Sequence, residues 1–146
     1  MYKIAVVIPW FGKSLKGGAE RHAWEISKNL DLRGIDVTVL TTCSEQFLSD
    51  WSLNYYEAGE YFEEGIRILR FPVKKQNATK FHQANAKLLS MNNQKEKLIL
   101  GLPELDSKEE EIYFAENINS PALSEFLERN YTTYDAFIFL PYLFQI

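Results

Sequence analysis

The sequence predicts an α/β fold with a doubly wound, mainly parallel sheet. Three observations carry that reading. Short β-branched runs with no polar alternation recur along the chain, as in strands buried on both faces. Stretches with helical spacing of apolar residues separate them, giving an alternating order. A glycine pair, Gly17-Gly18, stands between the first run and the first helix, where such folds turn from strand to helix.

Lys3 to Ile8, KIAVVI, reads as the first strand, and Pro9 ends it. Its apolar stretch is short, and Trp10, Phe11 and Gly12 follow in place of a small-residue cleavage site, so a strand is expected and not a signal peptide. After a loop to Lys16, Gly17 and Gly18 open a helix with Ala19, Ala23, Ile26 and Leu30 on its apolar stripe. Glu20, Arg21, Glu25 and Lys28 fall off that stripe, and Gly34 is placed as its C-cap. Ile35 to Thr41 reads as the second strand, so the first unit is expected to be a right-handed parallel crossover.

Residues 44 to 65 mix acids with Trp51, Tyr55, Tyr56, Tyr61 and Phe62. The turn-like Glu64-Gly65 precedes a strand, Ile66 to Phe71, which suggests a small hairpin closed by Pro72. Asn77 is expected to cap a helix whose stripe is Phe81, Ala84, Leu88 and Met91. Residues 92 to 119 carry the least signal. Ser120 and Pro121 then form an N-cap and N1 pair for a helix bearing Leu123, Phe126 and Leu127. Ala136 to Leu140 is the last strand. Phe137 to Ile146 is almost wholly apolar with no following helix to cover it, so the sheet is expected to continue into further chain.

The chain of 146 residues, 46% hydrophobic and 25% charged, has the size and apolar content of one globular domain. A net charge of −4 argues against a general nucleic-acid binder. Cys43 is the sole cysteine, which excludes an internal disulfide and fits a cytoplasmic setting. No apolar run approaches the roughly 18 residues of a membrane span. Peripheral membrane contact stays open.

Lys16-Gly17-Gly18-Ala19-Glu20-Arg21 is the strongest chemical constellation. A helix N-terminus offers free N–H groups and partial positive charge to an anion, and glycines let a ligand approach the backbone. By position alone the loop reads equally as a ligand cradle or as a bare tight turn. Gly12-Lys13-Ser14 ends like a P-loop, but Val7 stands where the earlier glycine is required. The dinucleotide fingerprint is missing, and the second strand ends in Thr41, Thr42 and Cys43 without an acid at its tip, which argues against NAD. Asn77-Ala78-Thr79 is a glycosylation sequon that a cytoplasmic chain leaves unused. His22 reads as a loop-side functional residue or a surface helix residue. His82 reads as structural, Cys43 as a small strand-end residue, and Glu109 to Glu111 as a solvated face. The aromatics from Trp51 to Phe62 read as packing of an inserted hairpin, with stacking on a sugar or lipid as the other reading.

The run KIAVVIPWFGKSLKGGAERHAWEISKNLDLRGIDVTVLTT resembles the opening of family-four glycosyltransferases: a buried strand, a loop ending in GGAER, and a helix closing in RGIDVTVLT. The resemblance covers about the first 42 residues. It implies that this chain is the N-terminal, acceptor-side, Rossmann-like half of a GT-B fold. It implies retaining transfer from a nucleotide-sugar donor to a sugar or lipid-linked acceptor, with no cofactor and no obligatory metal. By the same carry-over, Gly17 and Gly18 face the donor diphosphate, and Glu20, Arg21 and His22 lie near the cleft rim. The family's histidine past the fourth main strand has no counterpart in Leu140-Pro141-Tyr142-Leu143, where Tyr142 stands in the neighbourhood. No catalytic residue is assigned. The donor-binding domain is expected outside these residues, which alone are expected to be inactive. The competing readings are a non-catalytic flavodoxin-like or receiver-like module, weakened by Pro9-Trp10-Phe11 where a receiver needs acids, and a small-molecule Rossmann enzyme, weakened by the missing fingerprint.

Overall fold

The computed structural model describes residues 1–92 and 106–140, without the side chains of 90–92. The elements run β1 (Lys3–Val7), α1 (Gly18–Asp31), β2 (Asp36–Thr42), β3 (Gly59–Glu63), β4 (Ile66–Phe71), α2 (Ala78–Asn92), α3 (Ser107–Ala115), α4 (Pro121–Asn130) and β5 (Ala136–Phe139). The chain divides into two compact units. One holds Met1–Lys75 and the residues from Ile118 onward; the other is Gln76–Asn117.

The first unit carries one five-stranded sheet in the order β3-β4-β2-β1-β5. β4, β2, β1 and β5 are parallel, and β3 joins the edge antiparallel to β4. β1 and β2 are rich in β-branched residues because they are buried on both sides. Val6, Ile8, Val37, Val39, Ile66 and Ile68 form one core with Ala23 of α1. The alternate residues Ala5, Val7 and Leu40 form a second core with Leu123, joined by Leu69, Phe71, Phe126 and Leu127. α1 therefore packs on one face of the sheet and α4 on the other. The chain moves outward from β1 to β4 and then returns to place β5 beside β1, so strand order reverses between β1 and β5. Such a switch point is where open α/β sheets leave a crevice at the carboxyl ends of the strands.

Local signals set the boundaries. Ser120 Oγ accepts from the Leu123 amide at 3.3 Å, starting α4 ahead of Pro121. Glu64 and Gly65 both have positive φ, 49° and 86°, and turn β3 into β4 as a two-residue hairpin. α1 ends earlier than its glycine: Leu32 is the C-cap, and Gly34, at φ 77°, closes the following turn through its amide to the Asp31 carbonyl.

In the second unit, Asn77 Oδ1 accepts from the Lys80 amide at 3.1 Å, so the sequon asparagine is the cap of α2. Phe81 and Ala84 of the expected stripe are buried, and Leu88 is half-buried. The Met91 side chain lies outside the described residues. α3 falls in the stretch with least signal; Asp106 caps it by accepting from the Glu109 amide at 2.9 Å. Phe81 meets Tyr113 with ring centroids 5.4 Å apart, and Lys87 pairs with Glu109. Of the expected solvated face, Glu109 is thus half-buried and paired, while Glu110 and Glu111 are exposed.

Candidate functional site

The segment leaving β1 is fixed before it reaches the glycines. The Thr41 and Thr42 hydroxyls donate to the Pro9 carbonyl at 3.1 and 2.7 Å. Trp10 and Phe11 are both 1% exposed, and Trp10 Nε1 donates to Ser44 Oγ at 3.3 Å. Arg70, at the end of β4, donates through Nη2 to the Phe11 carbonyl at 2.8 Å and through Nη1 to the Thr42 carbonyl at 3.3 Å. Its guanidinium lies 3.9 Å from the Tyr56 ring centroid, a cation–π contact. Burial pulls the Arg70 pKa below its ordinary value, yet a guanidinium stays charged at neutral pH. Sequence reasoning missed Arg70, because nothing local marks an arginine in a strand as a clamp on distant carbonyls.

Beyond Phe11 the loop turns through the Leu15 amide to the Gly12 carbonyl and reaches Gly17, the N-cap of α1. Gly17 has an extended backbone and offers no side-chain cap. Glu20, expected off the apolar stripe, is instead buried at 8% exposure, a correction with a clear cause. Its carboxylate folds back over Gly17, where a Cβ would collide with it and lie only 2.6 Å from its Cδ. An acid three residues past the N-cap sits at the positive end of the helix, where its charge is favoured. The missing Cβ of Gly17 makes room for it. Gly18 is different: a Cβ there would meet nothing within 4 Å, so its backbone is open.

The remaining expected residues separate. Arg21 and His22 are both exposed on the first turns of α1. Arg21 lines a pocket of about 500 Å³, formed with Gly12, Lys13, Leu15 and Lys16 of the loop and Trp24 and Glu25 of α1. Gly17, Gly18, Glu20 and His22 do not line it. Lys13 is paired with Glu64, which raises the Lys13 pKa and lowers that of Glu64. Tyr142 and the Pro141–Ile146 tail lie outside the described residues.

Cys43 is fully buried at the end of β2, and burial pushes its thiol pKa up, the opposite of what a nucleophile needs. His82 is exposed, with its ring edge-on to Phe81. The aromatic loop divides. Trp51 is buried against Trp10 and Phe47, with centroids 5.3 and 5.7 Å away, whereas Tyr55 and Phe62 are 63% and 69% exposed. Among the described residues, no helix is long and apolar enough to cross a membrane. Compared with known proteins, the chain matches no protein-family model, no curated protein and no solved structure.

Proposed function

We propose that the chain is the N-terminal, acceptor-side half of a retaining GT-B glycosyltransferase. In this reading its sheet is Rossmann-like and doubly wound, and a donor-binding domain is supplied by further chain. The protein works in the cytoplasm, free or at the membrane surface, moving a sugar from a nucleotide donor to a sugar or lipid-linked acceptor. One observation carries the reading: the backbone of Gly18 is open at the start of α1, at the carboxyl end of β1 beside the strand-order reversal. That is where an α/β sheet presents amides to a phosphate. The Pro9–Phe11 anchor ties the start of this loop to the sheet, which suits a site that must position a donor.

Glu20 shapes the site too. Its carboxylate lies over Gly17, which leaves Gly18 as the open position of the loop. Gly18→Val puts a branched side chain into that open space without touching the core. In the full-length gene product the expected outcome is a raised donor KM and reduced turnover with unchanged thermal unfolding. Steady-state kinetics with a panel of nucleotide sugars makes the measurement. Unchanged kcat and donor KM in the folded variant would remove the loop from the site, and an absence of transfer by the full-length protein with every donor would remove the reading.

A further inference from the structure

The loop between β2 and β3 carries a cavity that shares no residue with the pocket beside α1. Glu45, Ser49, Asp50, Leu53, Asn54 and Tyr55 line about 260 Å³ of space. Drug-sized ligands occupy roughly 300–1,000 Å³, so this volume suits a single inserted side chain. The loop is pinned from beneath. Trp51, 8% exposed, donates through Nε1 to the Phe47 carbonyl at 2.8 Å, and Phe47 stands edge-on to the buried Trp10 with centroids 5.6 Å apart. Asn54 holds the Val73 backbone twice: Oδ1 accepts from the amide at 2.7 Å and Nδ2 donates to the carbonyl at 3.3 Å. A cavity built this way exists before anything binds, which lowers the ordering cost of binding. Around it, Phe47, Leu48, Leu53 and Tyr55 are 50%, 87%, 60% and 63% exposed. Four large apolar side chains left in water within nine residues mark an interaction surface.

The charge of the loop selects what covers it. Residues 44–58 hold Glu45, Asp50 and Glu57 and no lysine, arginine or histidine. Two of those acids line the cavity. Asp50 Oδ1 accepts from the Ser52 amide and hydroxyl at 2.9 and 2.7 Å. Glu45 is half-buried, yet among the described residues it forms no ion pair. We propose that this loop docks a partner protein through a short segment that carries an arginine between apolar residues. The guanidinium enters the cavity, where its planar fork reaches the Glu45 and Asp50 carboxylates and the Tyr55 ring lies beside it. The apolar neighbours of the arginine cover Leu48 and Leu53. An arginine seated in a pocket with an apolar surround is a common anchor of protein interfaces. The same three acids repel an anionic lipid surface, so the charge favours a basic peptide over a membrane. The surface does not involve Gly18 and does not depend on the glycosyl-transfer reading.

The isotope-labelled protein is titrated with the peptide acetyl-Gly-Leu-Arg-Leu-Phe-Gly-amide and followed by amide NMR shifts. A second peptide replaces the arginine by citrulline, which keeps its shape and removes its charge. The arginine peptide is expected to shift amides between Glu45 and Tyr55, and the citrulline peptide to bind at least about tenfold more weakly. Glu45→Gln and Asp50→Asn preserve side-chain shape and are each expected to weaken the arginine peptide about tenfold. Leu48→Ser is expected to weaken both peptides, and Glu128→Gln, which removes an exposed acid on α4, to change nothing. Unchanged amide shifts outside the loop show that each variant is folded. No shift in the loop at millimolar peptide overturns the proposal. So does equal binding of the citrulline peptide, or binding that both acid variants leave intact. Retention on phosphatidylcholine vesicles through Leu48, without an effect of the arginine peptide, overturns it in favour of a lipid surface. None of these readouts involves sugar transfer, so failure here leaves the glycosyltransferase reading to its own kinetics.

Discussion

Gly17 and Glu20 act as one unit, and the unit is thermodynamically testable. Replacing Gly17 by Ala introduces a Cβ where the Glu20 carboxylate lies. The backbone at Gly17, φ −66° and ψ 151°, suits alanine, so the conflict is with that carboxylate alone. Because a side-chain end can swing away, the cost is modest. Gly17→Ala is expected to lose about 1 kcal/mol more in the native background than in a Glu20→Ala background, as a double-mutant cycle read by urea unfolding. Zero coupling would mean that Glu20 leaves its seat at no cost. The same pair shows where residue-level reading falls short. Counting apolar residues along α1 finds Ala19, Ala23, Ile26 and Leu30, of which Ala19, Ala23 and Leu30 pack on the core, but it places the charged residues off that stripe. Glu20 escapes because it folds back over Gly17, whose missing Cβ leaves room for its carboxylate. The spacing Gly17-x-x-Glu20 was the available signal. His22 shows the reverse: adjacency to a glycine loop in sequence left it exposed and outside the pocket that its neighbour Arg21 lines.

Among the elements, the β3–β4 hairpin rests on a turn whose chemistry is only half favourable. A two-residue turn with positive φ at both positions favours Asn-Gly, and here glutamate stands first. Gly65→Ala forces a Cβ into the left-handed region at φ 86° and is expected to destabilise by about 1–2 kcal/mol. Glu64 repays its strained backbone through its ion pair with Lys13, which ties the turn to the loop after β1. The folded-state pKa of Glu64 is depressed from 4.5, so its contribution is present above that pH and fades as acid protonates it. The Lys13 pKa is raised from 10.5, so its share is lost only as pH rises past that value. Both side chains are solvent-exposed, and the pair is weak and screened by salt. Glu64→Asn is therefore expected to be more stable than the native protein at high salt and to lose that advantage at low salt near neutral pH. Chemical unfolding at the two ionic strengths decides; a salt-independent difference would show that the ion pair adds nothing. Elements with such local punctuation were legible in the sequence: Pro9, Glu64-Gly65, Asn77 and Ser120-Pro121 each mark the boundary they were expected to mark. α3 was not, since it has no buried residue and no apolar stripe for periodicity to detect.

Across the whole molecule, alternation of buried strands with amphipathic helices was enough to predict the parallel core of the sheet. It could not order the strands or show which distant groups lock their ends together. That lock is Arg70. From β4 it reaches the Thr42 carbonyl at the end of β2 and the Phe11 carbonyl beyond β1, so one side chain joins three neighbouring segments of the sheet's carboxyl edge. It is 7% exposed, with aromatic rings of Tyr56 and Tyr61 over the guanidinium at 3.9 and 5.8 Å. Arg70→Met keeps the stem and the bulk but removes both hydrogen bonds, leaving two carbonyls short of a donor and the rings without a cation. At about 1–3 kcal/mol for each of the two partners left unsatisfied, a total loss of about 2–6 kcal/mol is expected. Arg70→Lys should recover less than half of it, because one ammonium on a flexible stem does not reproduce the planar fork that spans two acceptors. The loss should be local as well as global. Amide exchange at Gly12 to Gly18 should quicken in Arg70→Met more than exchange in α4, because the loop after β1 loses its tether while Leu123 and Phe126 keep their core. Equal acceleration in both places would assign Arg70 to general stability alone. Unfolding free energies unchanged from native would show that Thr41 and Thr42, through the Pro9 carbonyl, hold the loop without it.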